Sequence, residues 1–104
     1  MSVKLLLFRS GEQVLSDVKE LVNGETIRAY VLNKPHKVQV NRSIHFSEEE
    51  TVNDDRNLEI TLTPWILLTE EDDIIITPDW VVTIVNPLDS IVKMYQEKVN
   101  GEID

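Results

Sequence analysis

The apolar residues of this chain come in short runs rich in β-branched side chains, and turn-forming residues cut off each run within about ten positions. That punctuation favours strands over long helices. Residues 3–9 (VKLLLFR) stop at Ser10-Gly11. Residues 26–32 (TIRAYVL) and 37–46 (KVQVNRSIHF) are separated by Asn33-Lys34-Pro35-His36, which reads as a turn or bend because Pro35 brings no ladder donor. Within 37–46, Val38, Val40, Ile44 and Phe46 share one parity, and Lys37, Gln39, Asn41, Ser43 and His45 the other. That alternation predicts a half-buried strand with a polar outer face. Residues 58–68 start in the same way, with Leu58, Ile60 and Leu62 on one face, until Pro64-Trp65 interrupts them. Asp73 to Thr77 and Trp80 to Val85 read as two further strands flanking Pro78-Asp79.

Two segments depart from this pattern. Val14, Leu15, Val18, Leu21 and Val22 fit one face of a helix, with Ser10 and Gln13 as a capping box and Asn23-Gly24 as its stop. The same Asn23-Gly24 is also a strong hairpin signal, so residues 13–22 read equally as a strand. The second segment is helical without ambiguity. Asn86 supplies an N-cap, Pro87 an N1 proline and Asp89 an acid in the first turn. Leu88, Ile91, Val92, Tyr95 and Val99 then form one apolar stripe before Asn100-Gly101 ends it, predicting a helix over 87–100.

A mainly β fold of five or six short strands with one terminal helix is expected: a small, strongly bent barrel capped by the helix. At 104 residues the chain has room for one domain, 1–104. The absence of cysteine excludes disulfides, Cys-ligated zinc, iron–sulfur clusters and thiol nucleophiles. No apolar run approaches the ~18–20 residues of a membrane span, so no membrane partner is expected. The start, MSVKLLLFRSGE, is too short in apolar residues for a signal peptide, and a cytoplasmic protein is expected.

Charge is segregated along the chain. Residues 46–75 hold ten acids and one base, and so carry the whole net charge of −9. Residues 28–45 hold Arg28, Lys34, Lys37 and Arg42 with no acid, and His36 and His45 besides. The acidic runs 47–57 and 70–73 read as solvated loops, and the basic stretch as a strand's outer face or a contact for phosphates. In the second case Tyr30 or His36 is available to stack on a base.

Chemistry-bearing patterns are sparse. The carboxylate runs lack an EF-hand spacing, and His36 and His45 have no companion ligand, so no metal is expected. Ser10, Ser16 and Ser43 lack a nucleophile-elbow context, and three glycines leave no phosphate loop, so neither a cofactor nor an enzyme is expected. Asn41-Arg42-Ser43 is a glycosylation sequon only formally, and Trp65 and Trp80 read as core or subunit-contact anchors.

Two segments resemble a known family. Leu21-Val22-Asn23-Gly24-Glu25-Thr26-Ile27 is similar to the L-x-N-G-x-x-V hairpin of the first signature of Sm-like (Sm, LSm and Hfq-type) domains. Ile76-Thr77-Pro78-Asp79-Trp80-Val81-Val82-Thr83-Ile84 has the spacing of the second, I-R-G-x-x-V-x-x-I. The chain also resembles a group of small proteins of tailed cyanophages expected to share that fold, which implies a phage-encoded protein working in the host cytoplasm. The resemblance covers roughly residues 13–86. It implies a five-stranded, bent antiparallel barrel over about 3–86, and it favours the strand reading of 13–22. It further implies a homo-oligomeric ring made by edge-strand pairing, and single-stranded RNA as a partner near the pore. The implied RNA-contacting positions are Asn33, Lys34, His36, Lys37, Arg42 and Thr77. The family's own residues are mostly replaced there. Asn33 stands for Asp, His36 for Met, Lys37 for the base-reading Asn and Thr77-Pro78 for Arg-Gly, while Ala29 takes the place of a strand-two Gly. The alternative is an adaptor oligomer that binds other proteins and no nucleic acid.

Overall fold

The computed structural model describes residues 2–42 and 58–101, and the side chains of Asn41, Arg42 and Leu58 are outside that description. The sequence expectations for residues 43–57, including Ser43, His45, the end of the strand at Phe46 and the first acidic loop, therefore lie outside the described residues. Six strands form one antiparallel sheet: β1 (Val3–Phe8), β2 (Gln13–Asn23), β3 (Thr26–Arg42), β4 (Leu58–Pro64), β5 (Asp73–Ile76) and β6 (Val81–Val85). The 3-10 turn Pro78–Trp80 joins β5 to β6, and the helix α1 (Asp89–Gly101) follows. The strand order is β4-β3-β2-β1-β6, with β5 pairing β3 beyond the end of β4.

The mainly β class with one C-terminal helix is as expected, but the small, bent five-stranded barrel is not: the sheet has six strands and does not close. Among the described residues β6 pairs only β1, and β4 and β5 pair only β3, so the ladder stays open between the two ends of the sheet. A sixth strand arises because β4 and β5 share one edge of β3. Partners of β4 run from His36 to Arg42, and partners of β5 from Tyr30 to Asn33.

Residues 13–22 are a strand. Val14 and Leu15 are buried on opposite faces of the sheet, which erases simple alternation there, while Leu21 and Val22 complete the helix-like spacing from exposed positions. Val14 packs with Leu6, Phe8 and Leu32 on one face, while Leu15 packs with Leu62 and Tyr95 on the other. Beyond Val18 the β2–β3 hairpin leaves the core and is exposed on both strands at its tip. Gly24, at φ 68°, turns that hairpin through a backbone region closed to most L residues.

The first face curls around Phe8 and Trp65, whose rings lie 5.1 Å apart, together with Ile74, Ile76, Val81 and Ile84. The helix covers the second face through Tyr95, Ile91, Met94 and Val99 against Leu5, Val38 and Ile60. The expected N-cap moves. The Asn86 side chain accepts a hydrogen bond from the Lys4 ammonium, and the Leu88 carbonyl instead receives the N–H groups of Ile91 and Val92. The helix thus starts at Asp89, and Leu88, assigned to the apolar stripe, is exposed. Trp65 is a core anchor as expected, whereas Trp80 is exposed and belongs to the 3-10 turn rather than to a strand.

Leu15 is fully buried between the sheet and the helix. Leu15→Ala is expected to cost about 2–5 kcal/mol of unfolding free energy. Urea unfolding monitored by tryptophan fluorescence checks this, since Trp65 lies on the opposite face and reports global rather than local loss.

Candidate functional site

The basic stretch is expected to turn or bend at Asn33–His36. In the structure β3 runs through it without a break, as a strand of 17 residues with a bulge. Leu15 pairs His36 and Asp17 pairs Asn33, so the single residue Ser16 faces both Lys34 and Pro35. Pro35 is tolerated in a central strand for this reason: a bulge is where a ladder donor can be missing. Lys34 adopts φ 51°, the left-handed region that a lysine enters at a cost.

A bulge orphans backbone carbonyls, and buried side chains satisfy them here. Ser16 Oγ donates to the Asn33 carbonyl at 3.0 Å and shares its proton with the Asp17 carbonyl. The Tyr95 hydroxyl reaches across from α1 and is shared between the carbonyls of Asn33 (2.9 Å) and Lys34 (3.0 Å). His36 Nδ1 donates to the Lys34 carbonyl at 2.9 Å, and its ring meets the Tyr95 ring edge-on at 5.7 Å. His36 is 3% exposed and Tyr95 likewise buried. Burial pushes the Tyr95 hydroxyl up to about 12.

The expected RNA-contacting residues meet different fates. Asn33 gives its side-chain amide to Asp73 Oδ1 at 2.8 Å, which ties β5 to the bulge. His36 is a buried bracing residue rather than a stacking surface. Lys34 is half-buried in the bulge, and Lys37 is half-exposed with Glu12 at 3.7 Å. The backbone of Arg42 pairs Leu58 at the far end of β3. Thr77 is not brought to the others. It follows Ile76, which pairs Tyr30, so the length of β5 separates it from Asn33 and Asp73. There its side chain hydrogen-bonds Asp79, and that bond holds the Asp79 carboxyl below the usual carboxylate range.

Beside the bulge lies a cavity of about 290 Å³, walled by Lys34, His36 and Trp65 on one side and Glu70, Glu71 and Asp72 on the other. The loop carrying those acids leaves and returns at the bulge. Trp65 N–H donates to the Pro35 carbonyl at 2.9 Å, and Lys34 N–H donates to the Asp72 carbonyl at 2.7 Å. The second acidic run is thus a loop closed at its base, with Thr69 Oγ1 accepting the Glu71 N–H inside it. Among the described residues no group of three His, Asp or Glu side chains is placed to hold a metal ion. No helix among them is long and apolar enough to cross a membrane.

Residues 1–100 match the model of a family described as "Family of unknown function (DUF6561)". The chain belongs to this family. No curated protein matches it.

In this DUF6561 chain the residues that matter most at the bulge and carry no basic charge, Ser16, Asp73 and Tyr95, were not singled out as site residues. Tyr95 stood on the helical stripe as the one member with a hydroxyl. A buried Tyr needs an acceptor, and that was the available signal.

Two outcomes follow from this geometry. Lys34→Gly is expected to raise stability by up to about 1 kcal/mol by relieving the left-handed strain, while Lys34→Val lowers it by about 1–2 kcal/mol; denaturation midpoints decide. Tyr95 ionises near 10.0 when unfolded and near about 12 when folded, so the folded state favours the protonated hydroxyl. Its contribution is complete below pH 10.0 and is lost as pH rises towards about 12. Tyr95→Phe should cost roughly 1–2 kcal/mol at pH 7. It should also lose less stability than the parent between pH 9 and 11, as measured by urea unfolding.

Proposed function

We propose that this protein is a non-enzymatic, Sm-like subunit of a homo-oligomeric ring, and that it works as a structural or protein-interaction adaptor. The observation that carries this reading is the pair of bare sheet edges. Among the described residues β5 (DIII) pairs only β3 and β6 (VVTIV) only β1. Neither strand has a proline or lysine to guard its edge, whereas natural sheets blunt free edges with such residues. Ile75 is 64% and Val82 59% exposed. Pairing β5 of one copy with β6 of the next satisfies both edges at once and closes a ring if the rotation permits. The order β6-β1-β2-β3-β5, with a short 3-10 turn between β5 and β6, supports the Sm-like reading of the two signatures.

The adaptor reading is preferred to RNA binding because of what the basic residues do. Asn33, Lys34 and His36 build the bulge, Lys37 neighbours Glu12, and Thr77 lies apart. A base-reading pocket needs such groups free and convergent.

Light-scattering mass, at low and high salt and with or without a short uridine-rich RNA, tests the proposal. A discrete multi-chain mass that RNA does not change is expected, and Lys34→Glu/Lys37→Glu/Arg42→Glu should leave it intact. A single-chain mass overturns the ring. RNA binding that the triple variant abolishes in an intact oligomer overturns the adaptor reading in favour of the RNA one.

A further inference from the structure

The backbone hydrogen bonds fix which groups each bare edge offers. Lys34 N–H donates to the Asp72 carbonyl, so in the β3–β5 register Leu32 and Tyr30 bond Ile74 and Ile76. Groups bonded to one neighbour alternate along an antiparallel strand. The N–H and carbonyl of Asp73 and Ile75 therefore point to the open side of β5. On β1, Phe8 N–H donates to the Glu12 carbonyl and Ser2 accepts from Val18 N–H, so the even residues bond β2 and the odd ones β6. Arg9 N–H, donating to the Trp80 carbonyl, fits that phase. Leu5 and Leu7 thus bond Val85 and Thr83, and the main-chain groups of Ile84, with Asn86 two residues on, point to the open side of β6.

The side chains of these two sets lie on opposite faces. Ile74 and Ile76 pack on the curled face with Leu6 and Phe8, so Asp73 and Ile75 alternate onto the helix face, where Ile75 is 64% exposed. Ile84 packs on the curled face. Lys4 and Asn86 share that face with it, and the Lys4 ammonium donates to the Asn86 side chain. Residues that exchange bonds across an antiparallel pair share a face. Joining β5 to the β6 of another copy therefore turns the sheet over, and the helix face of one copy runs on as the curled face of the next.

We propose that β5 of one copy pairs antiparallel with β6 of the next, with Ile75 opposite Ile84 and Asp73 opposite Asn86. This rests on the homo-oligomer proposed above and deepens it. In the same register Ile74 meets Val85, which is 46% exposed, on the other face. Apolar side chains thus meet apolar ones on both faces. The Asp73 carboxylate, which also accepts from Asn33, meets the Asn86 amide with the Lys4 ammonium behind it. A shift of two residues breaks this match. One direction sets Asp73 beside Ile84, and the other sets Ile75 beside Asn86 and Asp73 beside Leu88. A shift of one puts the main-chain groups out of phase. Parallel pairing of the same edges sets Asp73 beside Val81. Two unlike edges meet, so the contact is head-to-tail. Because the faces exchange at each junction, the curl reverses there and every copy keeps its own core.

Disulfide formation reads the register, because the chain has no cysteine of its own. Ile74→Cys/Val85→Cys and, on the other face, Ile75→Cys/Ile84→Cys place each pair within the Cα separation that a disulfide spans, about 4.4–6.8 Å. Ile74→Cys/Thr83→Cys is two residues out of register and exceeds it. Circular dichroism checks the folding of each variant and light scattering its mass before oxidation, and either matched pair suffices where the other does not fold. The matched pairs should lose their single-chain band to linked multimers on a non-reducing denaturing gel, and the shifted pair should keep it. If parent and variants are multi-chain but the matched pairs keep the single-chain band, or the shifted pair links as well as they do, the register is wrong and the oligomer stands. A parent that is single-chain across a concentration series overturns both.

Discussion

The bulge at Asn33–Lys34–Pro35 in β3 is the constraint on which the rest of the structure depends. It bends a strand of 17 residues so that its first half can join β5 and its second half β4 along the same edge. Without it β3 would be too straight to serve both clusters of the core. The bend leaves two carbonyls without regular ladder partners, and Ser16, His36 and Tyr95 supply the missing donors from three different elements. Tyr95 makes the bulge a tertiary feature as well as a local one. Its hydroxyl pins α1 to β3 at the point of the bend, so docking of the helix and shape of the sheet are set together.

The two-sided core follows from that arrangement. Leu6, Phe8, Val14 and Leu32 fill the curled face, and Leu15, Leu62 and Tyr95 fill the face under the helix. Adjacent residues Val14 and Leu15 are both fully buried, on opposite sides of one strand. A chain of this length gains most when its central strands are sandwiched in this way, because half-buried strands alone leave too much apolar surface in water.

The same packing explains what was legible in the sequence. Val38 in β3 and Ile60 and Leu62 in β4 read correctly, because each packs on the face under the helix, whereas Val40, of the same parity as Val38, is exposed. The C-terminal helix read correctly from its stripe, though not from its cap, since Lys4, 82 residues away, claims Asn86. Residues 13–22 were ambiguous because Val14 and Leu15 are both buried, on opposite faces, and Leu21 and Val22 are apolar although exposed. The turn or bend expected at Asn33–His36 is a bend: Pro35 signals a missing donor but not whether the strand stops or bulges, and here it bulges and continues. The candidate site suffered from the same gap. The basic stretch was visible as a cluster along the chain, but the bonds of Asn33 to Asp73, of Lys37 to Glu12 and of Tyr95 to the Asn33 and Lys34 carbonyls join residues far apart in sequence.

Charge segregation gives the molecule a polarity that its total charge conceals. The acids Glu70, Glu71, Asp72 and Asp73 gather where the chain enters β5, while Lys34 and Lys37 lie in β3. Two copies of a chain with net charge −9 repel at long range, and salt shortens that repulsion to about 8 Å at physiological ionic strength. Edge pairing adds main-chain hydrogen bonds between uncharged groups, which salt weakens far less than it weakens that repulsion. On the proposed edge-paired ring, assembly should therefore favour moderate over very low salt, the reverse of what binding to an RNA backbone would give. The sign of the salt dependence thus separates a self-assembling acidic subunit from a phosphate-binding one without knowledge of any ligand.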